Sequence, residues 1–175
     1  MTARTVLHQA DITRALTRIS HEILESNRGS NDLILLGIPK RGVILANRLG
    51  AILDGIEPGA VSVGALDVTM YRDDLAKNPT RAPYPTAIPA GGIDGKTIVL
   101  VDDVLFSGRT IRAALNAIND LGRPRAVRLA ALVDRGHREL PIRADFVGKN
   151  LPTSLAERIN VRLEETDGID EVTIE

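Results

Sequence analysis

Residues 98–110, IVLVDDVLFSGRT, place two adjacent carboxylates, Asp102 and Asp103, ahead of the hydroxyls Ser107 and Thr110, with Gly108 and Arg109 between them. The apolar run before the acids reads as a buried strand, and the residues after Thr110 read as a helix. A helix that starts at a glycine turn offers unpaired backbone N–H groups and the positive end of its dipole, both suited to a phosphate. Gly108 lets the backbone approach closely, Ser107 and Thr110 add donors, and Arg109 adds charge. The acids repel a phosphate. They suit the hydroxyls of a sugar one ring-length away, or a Mg²⁺ held indirectly. A phosphate cradle beside hydroxyl acceptors describes a site for a ribose 5-phosphate group. The alternative, an ordinary turn with a serine cap, leaves unexplained why strand, acids, glycine turn and helix follow in that order.

Two further segments carry chemistry. Residues 38–42, IPKRG, follow a short apolar run, and the cations Lys40 and Arg41 beside a glycine suit a diphosphate, although a solvated basic turn has the same composition. Residues 71–92 hold four prolines and show neither helical nor strand periodicity. A loop of that length in a compact domain is usually functional, the alternative being a tolerated surface excursion. Neither G-x-x-x-x-G-K-[ST] nor G-x-G-x-x-G after a strand occurs, so P-loop and dinucleotide-binding folds lack their fingerprints.

The elements that must hold these segments alternate. Ile12, Leu16, Ile19 and Ile23 predict a helix over 11–26 with Asp11 as N-cap. Strands are expected at 33–37, 61–70, 97–101 and 126–133, helices at 43–53 and 110–121, and a hairpin over 159–174 around Asp167-Gly168. Strand–helix alternation predicts an α/β fold with a mainly parallel sheet flanked by helices, with ligands at the carboxyl ends of the strands. The 175 residues suit one domain, 1–175.

Composition narrows the classes. There is no cysteine, which excludes disulfides and thiolate chemistry, and three scattered histidines give little support to a metal site. With 22 basic and 23 acidic residues the net charge is -1, so a nucleic acid would need a local basic patch. Aromatics at 2% argue against base stacking on exposed rings. The N-terminal residues lack a signal-peptide core and no apolar run spans a bilayer, so a cytoplasmic protein is expected.

Residues 98–110 resemble the 5-phosphoribosyl-1-diphosphate (PRPP) signature of type I phosphoribosyltransferases, with Ser107 where that family usually has threonine. The stretches LTRISHEI, MYRDDL, VDDVLFSGRTIRAAL, LGRPR and LVDRGHRELPIRADFVGKNLPTS, with the closing hairpin, extend the resemblance over nearly the whole chain. Together they are similar to the PyrR family, bifunctional pyrimidine-operon regulators and uracil phosphoribosyltransferases. The resemblance implies the type I phosphoribosyltransferase fold, with a small hood and a C-terminal hairpin. It implies that PRPP, taken with Mg²⁺ and without direct ligation of the metal by the protein, reacts with uracil to give UMP and diphosphate.

Residue by residue, it implies that PRPP or nucleotide is held by Lys40, Arg41, Asp102, Asp103, Val104, Leu105, Phe106, Ser107, Gly108, Arg109 and Thr110. Asp102 and Asp103 act in catalysis with Arg72 and Asp73, which belong to a loop that closes over the substrate. Val133, Asp134 and Arg135 meet uracil, under a hood at 137–150. UMP and UTP are regulatory ligands, and the partner is pyr-operon leader mRNA. Its candidate contacts are Thr17, Arg18, His21, Arg28, Lys40, Arg138, Arg143 and Lys149. By charge alone the first helix is equally a solvated face. The family also implies a homo-oligomer. The competing expectation is a phosphoribosyltransferase for another base with no RNA-binding role.

Overall fold

The computed structural model describes residues 2–59, 61–73 and 84–175. Five parallel strands form its centre: β2 (Leu33–Gly37), β3 (Ser62–Ala65), β4 (Thr97–Leu105), β5 (Ala126–Asp134) and β6 (Phe146–Asn150), in the order β3-β2-β4-β5-β6. The helices are α1 (Gln9–Asn27), α2 (Arg41–Ile56) and α3 (Arg109–Asn119). Alternate residues of the buried strands feed the two faces. Leu33, Leu35, Val99 and Val101 pack with α1 and α2, whereas Ile34, Leu36, Ile98 and Leu100 pack with α3. Burial on both faces is why these strands read as unbroken apolar runs.

A second sheet is antiparallel and packs against the same core as α1 and α2. It consists of β1 (Arg4–His8), β8 (Glu171–Ile174) and β7 (Ile159–Arg162), in that order. The expected hairpin is therefore present, but its turn is a short helix, α4 (Glu164–Asp167), closed by Gly168 at φ 73°. The chain's N-terminal strand completes it, paired to β8 from across the sequence.

Several sequence boundaries move. The N-cap of α1 is His8, not Asp11. Asp11 sits three positions in and accepts the His8 N–H at 2.8 Å, because β1 runs straight into the helix. The expected strand 61–70 stops at Ala65 and a single 3-10 turn takes Thr69–Tyr71. The strand expected to end at 101 continues to Leu105, because β5 keeps pairing with it: Asp102 faces Ala131, Val104 faces Val133 and Leu105 faces Asp134. Part of the expected hood, Phe146–Asn150, is the edge strand β6. Of the long loop, 74–83 lie outside the described residues. Beyond them Ala87 bridges back to Ala65. No described helix is long and apolar enough to cross a membrane.

Candidate functional site

β4 carries its acids inside the strand. Asp102 is 8% exposed and Asp103 half-buried. Each carboxylate is fixed by a neighbouring backbone N–H: Asp103 N–H donates to Asp102 Oδ1 at 2.9 Å, and Val104 N–H to Asp103 Oδ1 at 2.8 Å. Both acids line an open cavity of about 710 Å³ at the carboxyl edge of the sheet. Opposite them stand Ile38–Arg41, where the Pro39–Lys40 peptide is cis, and Asp67–Thr69, with Arg72 and Tyr84. Sequence reasoning missed Asp67, Thr69 and Tyr84, since an expected strand and a patternless loop gave no signal there.

A smaller cavity of about 280 Å³ adjoins the first, sharing Arg72, Asp102, Val104 and Thr110 with it. Its floor is the turn Ser107–Thr110. Gly108 is the N-cap of α3 at φ 93°, a conformation a side chain rarely adopts, and an added Cβ would come within 3.3 Å of Ile142. Ser107 Oγ accepts the Arg109 N–H at 3.3 Å. The turn and Asp102 thus border one cavity, into which the start of α3 opens. Arg72 already reaches Thr110, Nη1 donating to Oγ1 at 2.9 Å. Arg109 turns sideways instead and bridges Asp73 (2.7 Å) and Glu139 (3.0 Å). It thereby ties the loop at 73 to the hood across the turn.

The basic turn divides its two cations. Lys40 is exposed at the cavity. Arg41, the first residue of α2, lines the cavity too, but its Nη2 donates to both oxygens of Asp167 at 2.9 and 3.1 Å. On the far side, Asp134 pairs with Arg138 at 2.6 Å. The buried Arg135 donates to Thr153 Oγ1 and to the carbonyls of Ser154 and Glu157, with its guanidinium 4.3 Å from the Phe106 ring centre. His137 meets the same ring edge-on. Asp134, Arg135, His137 and Arg138 line a third cavity of about 370 Å³ with Asn150, Pro152 and Thr153. Val133 is fully buried.

Thr17, Arg18 and His21 are exposed on α1. Arg18 reaches the edge strand, donating to the carbonyls of Val147 (3.0 Å) and Gly148 (2.6 Å), next to the exposed Lys149. Arg28 lies beyond the other end of α1, just before β2 begins, at the opposite edge of the sheet from Lys40. Arg138 is engaged internally with Asp134 and the carbonyls of Phe106 and Ile142, while Arg143 is exposed in the hood.

Burial, and then the charge of Asp103, push the Asp102 carboxyl well above the usual carboxylate range. Unfolded, Asp102 ionises near 3.8; folded, only at higher pH. This group costs no stability below the lower pKa. The cost grows as pH rises from that value through the folded pKa, and persists above it. Asp102→Asn removes the ionisation and keeps an oxygen for the Asp103 N–H. At neutral pH the variant should melt above the parent. The gap should close as pH falls toward 4. Melting curves across this range check it, and a variant less stable at every pH would refute the assignment.

Among the described residues no group of three or more histidine, aspartate or glutamate side chains is assembled to hold a metal. Asp102 and Asp103 at the cavity wall supply carboxylate oxygens of the kind Mg²⁺ takes.

Comparison with known proteins identifies the family. Residues 3–163 match the phosphoribosyl transferase domain family. The chain is 73% identical to a bifunctional protein PyrR of Leifsonia xyli, covering 100% of this chain and 98% of the relative. It is 64% identical to the Streptomyces coelicolor protein of the same name, over 98% of this chain and 89% of that one. Among solved structures, the hypoxanthine phosphoribosyltransferase of Trypanosoma cruzi superposes with a TM-score of 0.73 at 16% identity, covering 98% and 95% of the two chains. A hypoxanthine-guanine phosphoribosyltransferase of Bacillus anthracis superposes at 0.70 with 15% identity, over 97% and 96%. At such low identity these two likenesses establish the fold.

Proposed function

We propose the function from one premise: this chain belongs to the phosphoribosyl transferase domain family, within its bifunctional PyrR group. It is a regulator of pyrimidine biosynthesis that binds pyr mRNA in a uridine-nucleotide-dependent manner, and it has uracil phosphoribosyltransferase activity. The observation that carries the enzymatic half is the shared wall of the two cavities. There the buried Asp102 of β4, next to the half-buried Asp103, borders the same space as Thr110 of the turn that opens α3.

The residues divide the work as follows. Ser107, Gly108, Arg109 N–H and Thr110 receive the 5-phosphate. Asp102 and Asp103 accept hydrogen bonds from the ribose hydroxyls. Lys40 and the backbone of 38–42 face the diphosphate. In the transfer, the bond from ribose C1 to diphosphate breaks, the bond from C1 to uracil nitrogen forms, and the nitrogen's proton is released. Mg²⁺ supplies charge neutralisation for the leaving diphosphate. The protein contributes positioning and a prearranged field. Arg72 and Asp73 lie where the long loop begins and serve to exclude water from the activated ribose. Asp134 and Arg135 border the base, with Val133 contributing main chain.

For the regulatory half, Thr17, Arg18, His21 and Lys149 form the surface offered to leader RNA, joined by the exposed Arg143 of the hood. Arg28 and Lys40 extend it to other edges. Cations supply phosphate contacts, and hydroxyl and imidazole groups read base edges in a structured loop. UMP or UTP in the pocket favours the RNA-binding form. The working state is a cytoplasmic homo-oligomer of one-domain subunits.

UMP formation from PRPP is to be assayed with each nucleobase and Mg²⁺, and leader-RNA binding with and without UMP across a salt series. Turnover with uracil, together with RNA binding that UMP strengthens and salt weakens, is the expected result. Turnover with another base and no RNA binding at any salt would reduce the protein to a phosphoribosyltransferase without a regulatory role.

A further inference from the structure

The C-terminal hairpin grips α2 from outside. Arg41 and Arg48 lie two turns apart on one side of that helix. The turn between β7 and β8 answers them with three carboxylates. Arg48 forks between Glu165, at 2.6 and 2.9 Å, and Asp170, at 2.7 and 2.9 Å. Arg41 is held by Asp167. Asp167 is itself anchored, since its Oδ2 accepts the Leu163 N–H at 2.8 Å. That N–H, and then Arg41, keep its carboxyl below the usual range, so it is charged when it meets the guanidinium. The side chains of Asp167 and Arg41 are only 19% and 31% exposed. The Nε of Arg41 is buried without a hydrogen-bond partner, so among the described residues Asp167 is what orients this guanidinium. Arg41 is also the residue directly after Lys40 and lines the large cavity.

We propose that Asp167 is a positioning residue for the diphosphate end of PRPP: from the C-terminal hairpin it fixes Arg41, and through Arg41 the loop 38–42, in the form that receives the diphosphate. The proposal rests on the reading of the large cavity as the PRPP site. Asp167 touches no substrate itself. Its effect is selective, because UMP shares the phosphate, ribose and base of the reaction but carries no diphosphate.

The test is Asp167→Asn in the full chain. Asparagine keeps the size and an acceptor for the Leu163 N–H, and removes the charge facing Arg41. The KM for Mg·PRPP should rise about tenfold, while kcat, the KM for uracil and the Kd for UMP stay within about twofold. Asp167→Glu, which restores the charge one methylene further out, should recover much of the loss. Glu165→Gln removes a hairpin carboxylate that touches Arg48 alone. It should lower the melting temperature without moving the KM for PRPP. An unchanged KM for PRPP in Asp167→Asn overturns the proposal. Equal weakening of PRPP and UMP does so too, since that is the signature of a loosened hairpin. Should Asp167→Asn fail to fold, Arg41→Lys keeps the positive charge but loses the contact to both carboxylate oxygens. It must show the same split between PRPP and UMP, and a variant without that split refutes the idea. A wild-type chain with no turnover from PRPP would overturn the reading of the cavity itself, a failure visible before any variant is made.

Discussion

Asp103→Asn lowers kcat/KM for PRPP by about 30- to 100-fold and weakens UMP binding by at least about tenfold, with the fold intact. The carboxylate sits at the cavity wall, half-buried, with one oxygen accepting the Val104 N–H. Asparagine satisfies that N–H equally well, so the strand should not notice the change. What is lost is the second, charged acceptor facing the ribose. A hydrogen bond to a charged group contributes about 1.5–3 kcal/mol, and truncating one that strengthens in the transition state costs the corresponding factor in rate. Initial rates, UMP titration and a melting curve on the same preparation decide the matter. Unchanged UMP affinity would remove Asp103 from the ribose site. The contrast with Asp102 is instructive. Asp102 lies deeper, and its replacement is expected to stabilise the fold, because its ionised form is disfavoured by burial and by its neighbour.

Gly42→Ala should be a strongly damaging single-methyl change beside the site. Gly42 is the second residue of α2, directly after the basic turn, and has an ordinary helical backbone. Its constraint is steric. A Cβ there would lie 2.4 Å from the Val101 carbonyl oxygen and 3.4 Å from Asp102 Cα, both on the backbone of the central strand. Neither atom belongs to a flexible side chain, so the helix must move away from β4, carrying the loop 38–42 with it. Overpacking of this kind costs about 1–3 kcal/mol, sometimes more. The expected result is a melting temperature at least about 5 °C lower and a KM for PRPP raised by about an order of magnitude. Gly55, near the other end of the same helix, has nothing within 4 Å of an added Cβ. Gly55→Ala should therefore leave activity untouched and raise stability by up to about 1 kcal/mol, since alanine is the better helix former. If the two alanine variants behave alike, the close approach of α2 to β4 does not hold the site together.

These expectations draw on two kinds of information, and the chain separates them. The sequence by itself determined what is local. The run 98–110 holds strand, acids, glycine turn and helix start within thirteen residues, and that arrangement is readable because neighbours in sequence must be neighbours in space. The parallel sheet was legible for a related reason. Strands buried on both faces, such as Leu33–Gly37, have no polar alternation, and that pattern survives in the one-dimensional sequence.

Only the tertiary structure decided what depends on pairing across long separations. β4 extends through its acids to Leu105 because β5 continues alongside it. β1 becomes a strand because β8, more than 160 residues later, offers it an edge. Arg109 turns away from the Ser107–Thr110 turn toward Asp73 and Glu139, and Arg41 turns to Asp167. A flexible cation goes to whichever carboxylate the fold brings near it, and its own sequence neighbours do not reveal which one that is. Periodicity and turn chemistry are written in short windows of sequence, whereas the orientation of a long charged side chain is set by residues the chain reaches only after folding.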